Sequence, residues 1–174
     1  MSEHFDFESY IRTIPDFPIP GIQFKDITPL LANPQAFSSV INRFTDRYTA
    51  RGIDAVVGIE SRGFIFGAPL ALQLGAAFVP IRKPGKLPLQ TLGVDYSLEF
   101  VTTRLEIHRD AVQPGAQVVV IDDLLATGGT VAAACDLLTQ LGAQVVETAF
   151  LIELEFLQGR TRLGDRSVFS LVRY

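Results

Sequence analysis

The residues with the clearest chemical potential lie in the segment Val118-Val-Val-Ile-Asp-Asp-Leu-Leu-Ala-Thr-Gly-Gly-Thr130. An apolar run ends on two acids, Asp122 and Asp123, and a loop rich in glycine and threonine leads into a stretch with helical spacing. Glycines let the backbone turn its N–H groups inward, and the helix N-terminus carries a partial positive charge. The segment predicts a pocket for one phosphate group, with the acids placed for sugar hydroxyls or a hydrated cation. It is not a nucleotide P-loop, because no lysine follows the glycines.

Cationic residues mark a second region of interest. Arg82, Lys83 and Lys86 fall within five residues of a chain whose net charge is −4, and Arg62 follows the apolar run at 55–59. Such residues are either anion ligands or solvated turn residues, and the local sequence leaves both interpretations open. His4 and His108 have no neighbours that suggest a metal site or a catalytic triad, so we expect both at the surface.

The elements that must position these residues follow from the apolar pattern. Runs rich in valine and isoleucine predict strands, those at 55–59, 117–121 and 145–151 being buried on both faces, with others at 77–81 and 168–172. Helical spacing predicts helices at 5–12, 34–50, 64–74 and 130–141, and alternation predicts a hairpin from strands at 96–100 and 104–108. Strands separated by helices indicate an α/β fold with a mainly parallel twisted sheet flanked by helices. Ligands of such sheets bind at the carboxyl ends of the strands.

Length and composition restrict the class of protein. The chain has 174 residues, 48% of them hydrophobic and 20% charged, which indicates a single folded domain over 1–174 and excludes a disordered chain. The acidic net charge argues against a nucleic-acid binder. A lone cysteine, Cys135, forms no internal disulfide, in keeping with a cytoplasmic protein.

The uncharged stretch at residues 63–81 has the length of a membrane span. Pro69 and Pro80 lie inside it, however, and a proline in a helix interior removes a hydrogen bond and clashes with the preceding turn. We therefore expect a helix followed by a strand, and no contact with a membrane.

The segment 118–130 resembles the phosphoribosyl-pyrophosphate-binding motif of the type I phosphoribosyltransferase family. Other stretches, spread over residues 15–155, resemble the adenine-using members of that family. They are Asp16-Phe-Pro-Ile-Pro-Gly-Ile-Gln-Phe-Lys-Asp-Ile-Thr-Pro, Glu60-Ser-Arg-Gly-Phe-Ile-Phe-Gly, Ile81-Arg-Lys-Pro-Gly-Lys-Leu-Pro, Tyr96-Ser-Leu-Glu and Ile152-Glu-Leu. The resemblance implies the type I fold, with a base-binding N-terminal hood at 1–33 and a flexible hairpin lid at 82–110.

The resemblance also implies a reaction. Adenine and 5-phosphoribosyl-1-pyrophosphate would give AMP and pyrophosphate through an oxocarbenium-like transition state, in purine salvage. The implied cofactor is Mg²⁺, held mainly by substrate and water with Asp122 and Asp123 nearby, because this ion keeps several of its waters. A cytoplasmic homodimer is implied as well, and part of the apolar surface would form its interface.

Roles for individual residues come from the same resemblance. For phosphoribosyl pyrophosphate it implies contacts from Lys25, Glu60, Ser61, Arg62, Arg82, Lys83, Lys86, Asp122, Asp123, Ala126, Thr127, Gly128, Gly129 and Thr130. Adenine would stack on Phe24, with the Gln23 backbone at the purine edge and Leu154 on the other face. Glu99 would transfer the proton at the purine, and Arg62 would assist catalysis beside the pyrophosphate. A cis peptide is implied at Glu60–Ser61 or beside it.

The sequence departs from the family pattern in the predicted lid. Family members carry tyrosine and glycine after the glutamate, whereas this chain reads Glu99-Phe100-Val101-Thr102-Thr103. Phe100 lacks the phenolic hydroxyl, and Val101 does not readily adopt the positive φ that glycine permits. This departure is the only feature in favour of an alternative, a regulator that binds phosphoribosyl pyrophosphate or nucleotide without catalysis. Such regulators usually carry a nucleic-acid-binding segment or a basic face, and the sequence shows neither. A 6-oxopurine enzyme is a further alternative, but it would want an acid where Leu124, Leu125 and Ala126 stand.

Overall fold

The computed structural model describes residues 5–98 and 101–174. These residues form two compact units, one extending to Asp46 and the other running from Arg47 to Tyr174. The first unit contains strands β1 (Arg12–Ile14) and β2 (Phe24–Asp26), helix α1 (Thr28–Ala32) and all but the last two residues of α2, which runs from Pro34 to Tyr48. As predicted, Pro34 is the first residue of α2, and the Asn33 side chain accepts a hydrogen bond from the Ala36 N–H (2.9 Å).

The predicted helix at residues 5–12 is wrong. Only one 3-10 turn forms there, at Glu8–Tyr10, and the chain then enters β1, which pairs antiparallel with β2. Arg12 binds the Asp26 carboxylate through both Nε (3.1 Å) and Nη2 (2.5 Å). Pairing with a strand distant in sequence therefore outweighs the weak local helical pattern.

The second unit is built on a five-stranded sheet. Its strands are β3 (Ala55–Ile59), β4 (Ala77–Ile81), β7 (Gln117–Leu125), β8 (Gln144–Glu153) and β9 (Val168–Arg173). They lie in the order β4-β3-β7-β8-β9, and every neighbouring pair is parallel, as predicted. Strand β3 is buried along its whole length, which explains its uninterrupted apolar sequence.

Strand β7 is longer than predicted. The sequence indicates a strand that ends before the two acids, but β7 continues through Asp122 and Asp123 to Leu125, pairing with β8 as far as Glu153. The added pairs to β8 hold the acids in regular extended backbone, and they fix the direction in which each acid points.

Two helices connect the strands that matter for the site. Helix α3 (Gly63–Leu74) follows β3, and α4 (Gly129–Gln140) follows β7. The uncharged stretch at 63–81 is therefore a helix and a strand, with Pro80 on β4 at the sheet edge, where a missing N–H is tolerated. Among the described residues, no helix is long and apolar enough to cross a membrane.

The predicted hairpin is present and longer than expected. Strands β5 (Thr91–Leu98) and β6 (Val101–His108) pair antiparallel from Thr91 opposite His108 to Leu98 opposite Val101. Leu105 and Ile107 of β6 are buried with residues of the sheet and of α4. The segment after β8, for which the sequence indicated no element, contains a 3-10 turn at Glu155–Leu157 and a short helix α5 (Arg160–Leu163).

Candidate active site

The sheet brings two loops together at the carboxyl ends of β3 and β7. These strands are parallel neighbours, with Gly58 opposite Ile121, so the loop after Ile59 lies beside Asp122. Gly63 makes this approach possible, because a Cβ on it would lie 2.7 Å from the carbonyl oxygen of Ile121. The Glu60–Ser61 peptide is cis, as predicted from the resemblance.

The predicted phosphate loop joins β7 to α4. Gly128 has a φ of +84°, and a Cβ on it would lie within 2.3 Å of the Gly159 carbonyl oxygen. Thr127 and Thr130 line a cleft of about 1010 Å³, and the Thr130 hydroxyl donates a 3.3 Å hydrogen bond to the Tyr96 hydroxyl. The loop thus presents threonine hydroxyls and the N-terminus of a 12-residue helix to one cavity, an arrangement that suits a phosphate.

The two acids of β7 have different surroundings. Asp123 is buried and accepts a hydrogen bond from Arg62 Nε at 2.5 Å. Asp122 lines the cleft, and its Oδ1 accepts the Asp123 N–H at 2.9 Å. Burial and the neighbouring charge of Asp123 raise the pKa of Asp122 well above its ordinary value. The Asp123 carboxylate in turn raises the pKa of Arg62.

Glu60 organises the cationic residues. Its carboxylate lies 3.2 Å from Arg82 Nε and 3.1 Å from Lys86 Nζ, and it accepts the Lys83 N–H at 2.8 Å. Burial raises the pKa of Glu60, but these three partners outweigh burial and lower it overall. The structure therefore shows Glu60 paired with two of the three clustered cations, Arg82 and Lys86, that were expected to contact phosphoribosyl pyrophosphate.

The residues predicted to bind adenine lie in different parts of the chain. In the first unit, Gln23 is exposed, Phe24 packs edge-on against Phe17 with centroids 5.1 Å apart, and Lys25 Nζ donates to the Thr13 hydroxyl. In the second unit, Leu154 is half-buried just after β8.

Some residues singled out in the sequence lie outside the described residues. These are Glu99, the predicted proton-transfer residue, Phe100 beside it, and His4. His108 is partly exposed, which agrees with the expected surface position, and its Nε2 lies 2.7 Å from the Pro88 carbonyl oxygen.

Comparison with known proteins identifies the family to which the chain belongs. Residues 26–172 match the model of the phosphoribosyl transferase domain. The curated adenine phosphoribosyltransferase of Chloroflexus aurantiacus is 68% identical over 169 residues, which are 97% of this chain and 98% of that relative. The chain belongs to the adenine phosphoribosyltransferase family.

Solved structures of adenine phosphoribosyltransferases have the same fold. The enzyme from Thermoanaerobacter pseudethanolicus matches with a TM-score of 0.93 and 50% identity, covering 97% of this chain and 98% of that one. The Saccharomyces cerevisiae enzyme, complexed with adenine and an imino-altritol bisphosphate, matches with a TM-score of 0.89 and 40% identity, covering 94% and 95%. The type I phosphoribosyltransferase fold, a parallel sheet flanked by helices, is confirmed, and this adenine phosphoribosyltransferase family member is a pentosyl-transferring enzyme.

The sequence does not predict one further part of the cleft lining. Tyr96, Gln158 and Arg162 line the cleft together with the predicted residues. Tyr96 belongs to one of the stretches that resemble the family, but the sequence does not mark it as a cleft residue. Nothing in the local sequence around Arg162 marks it as different from the other arginines near the C-terminus, since its position depends on how α5 packs.

Proposed function

We propose that this chain makes AMP and pyrophosphate from adenine and 5-phosphoribosyl-1-pyrophosphate in purine salvage, with Mg²⁺ as cofactor. One observation carries the proposal. A single cleft is lined by Thr127 and Thr130 of the phosphate loop and by Glu60, Arg62 and Lys83 at the predicted pyrophosphate end. A sugar phosphorylated at both ends fits a cleft with an anion site at each end.

The arrangement suggests how the chain positions its substrate. The phosphate loop holds the 5′-phosphate, while Ser61, Arg62 and Lys83 hold the pyrophosphate, so C1′ lies between two fixed ends. As pyrophosphate departs, positive charge develops on the ribose in an oxocarbenium-like transition state, and adenine N9 attacks from the opposite face. Asp122 and Asp123 face the ribose hydroxyls, and the walls of the cleft keep competing water away from C1′.

The donor chemistry at the end of β7 fits Mg²⁺. Two carboxylates lie on consecutive residues, and hard oxygen ligands are those the ion prefers. When bound, Mg²⁺ would neutralise charge on the departing pyrophosphate. Asp122 and Asp123 would contact it directly or through water.

Adenine recognition is assigned to the N-terminal segment and Leu154. A yeast relative is complexed with adenine, which supports adenine as the base accepted here. Phe24 would stack on the ring, a contact worth about 1–3 kcal/mol, while the Gln23 backbone contacts the purine edge and Leu154 covers the other face. Lys25 would approach the phosphoribosyl group.

We also propose a homodimer in the cytoplasm. Leu72 on α3 is 83% exposed and Leu89 is 93% exposed, and in the proposed homodimer a second copy of the chain would cover part of this apolar surface. Cys135 is a buried free thiol, as expected in a reducing compartment. Size-exclusion chromatography with light scattering tests the dimer, and a monomeric mass at micromolar concentration would exclude it.

One assay tests the proposed reaction. The chain is incubated with phosphoribosyl pyrophosphate, Mg²⁺ and adenine, hypoxanthine or guanine in turn, and nucleotide formation is followed. We expect AMP from adenine and little product from the 6-oxopurines. The absence of AMP at micromolar enzyme, with phosphoribosyl pyrophosphate still bound, would favour the non-catalytic regulator.

Replacing Glu99 by alanine tests its role in proton transfer at the purine. We expect kcat to fall by about 10²-fold or more, because general acid–base groups contribute on that scale, while the Kd for phosphoribosyl pyrophosphate stays nearly unchanged. Steady-state kinetics and calorimetry measure the two quantities. An equal loss of both would assign Glu99 to binding instead.

A further inference from the structure

Arg162 lies on a wall of the cleft that no sequence motif marked. It belongs to α5 and lines the cleft together with Thr127 and Thr130. Its Nη1 atom is 3.4 Å from the position that a Cβ would take on Gly129, the first residue of α4. The guanidinium therefore lies beside the helix N-terminus at the phosphate loop.

The other cations that line the cleft or pair with its Glu60 are already engaged. Arg62 is bound to Asp123, and Arg82 and Lys86 share the Glu60 carboxylate. Within the part of the chain that the structure describes, Arg162 and Lys83 form no ion pair. These two side chains are therefore available to pair with an incoming anion.

Lys83 and Arg162 lie beside different loops. Lys83 lines a smaller cavity with Glu60, Ser61 and Arg62, whereas Arg162 adjoins the phosphate loop. A guanidinium offers paired N–H donors whose geometry matches two oxygens of one phosphate. Threonine hydroxyls and backbone N–H groups alone would leave the dianion's charge less completely neutralised.

We infer that Arg162 is a ligand of the 5′-phosphate of the phosphoribosyl group. The inference rests on the proposed function for the identity of the ligand, and it assigns α5 to the substrate site. Gly159 places this helix, because its carbonyl oxygen occupies the space that a Cβ on Gly128 would need. The phosphate loop and α5 thus enclose the 5′-phosphate from two sides, and Lys83 serves the opposite end of the substrate.

Calorimetric titration of the Arg162→Gln chain tests the inference. Ribose 5-phosphate and AMP carry only the 5′-phosphate, whereas magnesium pyrophosphate carries only the leaving group. We expect the Kd for ribose 5-phosphate and for AMP to rise about tenfold or more, as for loss of a hydrogen bond to a charged group. The Kd for pyrophosphate should change by less than about twofold, since its proposed ligands Ser61, Arg62 and Lys83 line a smaller cavity that does not include Arg162. Arg162→Lys, which keeps the charge but not the fork, should give an intermediate loss.

Two further variants complete the test. Arg166→Gln removes an equal charge from a neighbouring residue that pairs with Asp136 at 3.3 Å, and it should leave all three affinities unchanged. Lys83→Gln should raise the Kd for pyrophosphate and leave the Kd for AMP unchanged. Unchanged ribose 5-phosphate affinity in Arg162→Gln, or an equal loss for pyrophosphate, would overturn the inference. Failure of the proposed function is seen separately, because the wild-type chain would then bind ribose 5-phosphate but form no AMP.

Discussion

Adjacent residues Asp122 and Asp123 have opposite electrostatic surroundings. Asp123 is buried but paired with Arg62, whereas Asp122 is desolvated beside a like charge with no ion pair among the described residues. A carboxyl whose pKa is raised in the folded state destabilises that state once the pH exceeds its unfolded pKa. The cost at Asp122 is therefore borne near neutral pH and disappears in acid, where the folded carboxyl is protonated.

Asp122→Asn should stabilise the chain and impair its activity. We expect the free energy of unfolding at pH 7 to increase by about 1 kcal/mol, because the neutral amide removes both desolvation and repulsion. The gain should vanish below about pH 4, near the ordinary carboxyl pKa. Meanwhile kcat/KM for phosphoribosyl pyrophosphate should fall by at least about tenfold. Urea denaturation at both pH values and steady-state kinetics measure these effects.

Asp123→Asn is the matched comparison on the same strand. It breaks the pair with Arg62 and should lower stability at pH 7 instead of raising it. Equal changes in the two variants would show that the two carboxyls do not differ in environment.

At the scale of single residues, the sequence predicts which groups share a site but not how they pair. It predicted that the acids of β7, the loop after β3 and the cations near Arg82 share a site, and the structure brings these together around Glu60. It did not predict that Glu60 neutralises cations, nor that Arg62 and Asp123 pair. Those contacts depend on side-chain directions set by the parallel register, which no local pattern encodes.

The phosphate loop and the segment before α5 interlock through two glycines. A Cβ on Gly128 would meet the Gly159 carbonyl oxygen at 2.3 Å, and a Cβ on Gly159 would meet the Ala126 carbonyl oxygen at 2.3 Å. Backbone therefore packs on backbone, and neither position has room for a side chain. The geometry of the phosphate loop therefore depends on the segment before α5, which follows the loop in the chain after α4 and β8.

Gly128→Ala, compared with a control, should distinguish the cost of this close packing from the cost of the left-handed backbone conformation. Gly115 has the same φ of +84° but nothing within 4 Å of its Cβ position, so Gly115→Ala is the control. We expect the control to cost about 1 kcal/mol of stability for the left-handed conformation. Gly128→Ala should cost about 2–4 kcal/mol, since overpacking adds to the same strain, and should raise the KM for phosphoribosyl pyrophosphate. Urea denaturation and kinetics measure both, and equal losses in the two variants would contradict the interlock.

Strong apolar runs made most elements predictable. Strands β3 and β4 have the predicted bounds, and α2, α3 and α4 differ from prediction by a residue or two at an end. The predicted helix at residues 5–12 is wrong, because only one 3-10 turn forms there. The sequence does not predict α5, since one turn of helix gives no periodicity to detect. Contacts with other parts of the chain determine the structure of both segments.

A buried carboxylate ties several segments of the larger unit together. Glu147 on β8 is 1% exposed, and its oxygens bind Arg47 (2.5 and 2.8 Å), Tyr48 (2.7 Å), Arg51 (3.1 Å) and Ser167 (2.7 Å). These partners come from the end of α2, the segment before β3 and the residue before β9. A single charge on the sheet thus joins stretches about 100 residues apart in sequence.

Acid should weaken the fold through Glu147. Burial raises its pKa, but hydrogen bonds from Arg47, Ser167 and Tyr48 outweigh burial and lower it from 4.5 to about 2. A lowered folded-state pKa stabilises the fold fully above about pH 4.5, and this contribution is lost as the pH falls towards 2. The shift corresponds to about 3 kcal/mol at neutral pH.

Glu147→Gln tests this contribution against pH. At pH 7 we expect a loss of about 3–5 kcal/mol, because two arginines keep their charges without the carboxylate. The difference from wild type should shrink as the pH falls from 4.5 to 3, since wild-type Glu147 loses stabilisation there. Glu155→Gln is the control, because that carboxylate is 56% exposed and its 3.6 Å pair with Arg173 is worth less than about 1 kcal/mol. Urea denaturation followed by circular dichroism gives each free energy. A wild-type advantage over Glu147→Gln that stays the same at pH 3 as at pH 7 would show that the ionised carboxylate is not what stabilises this region.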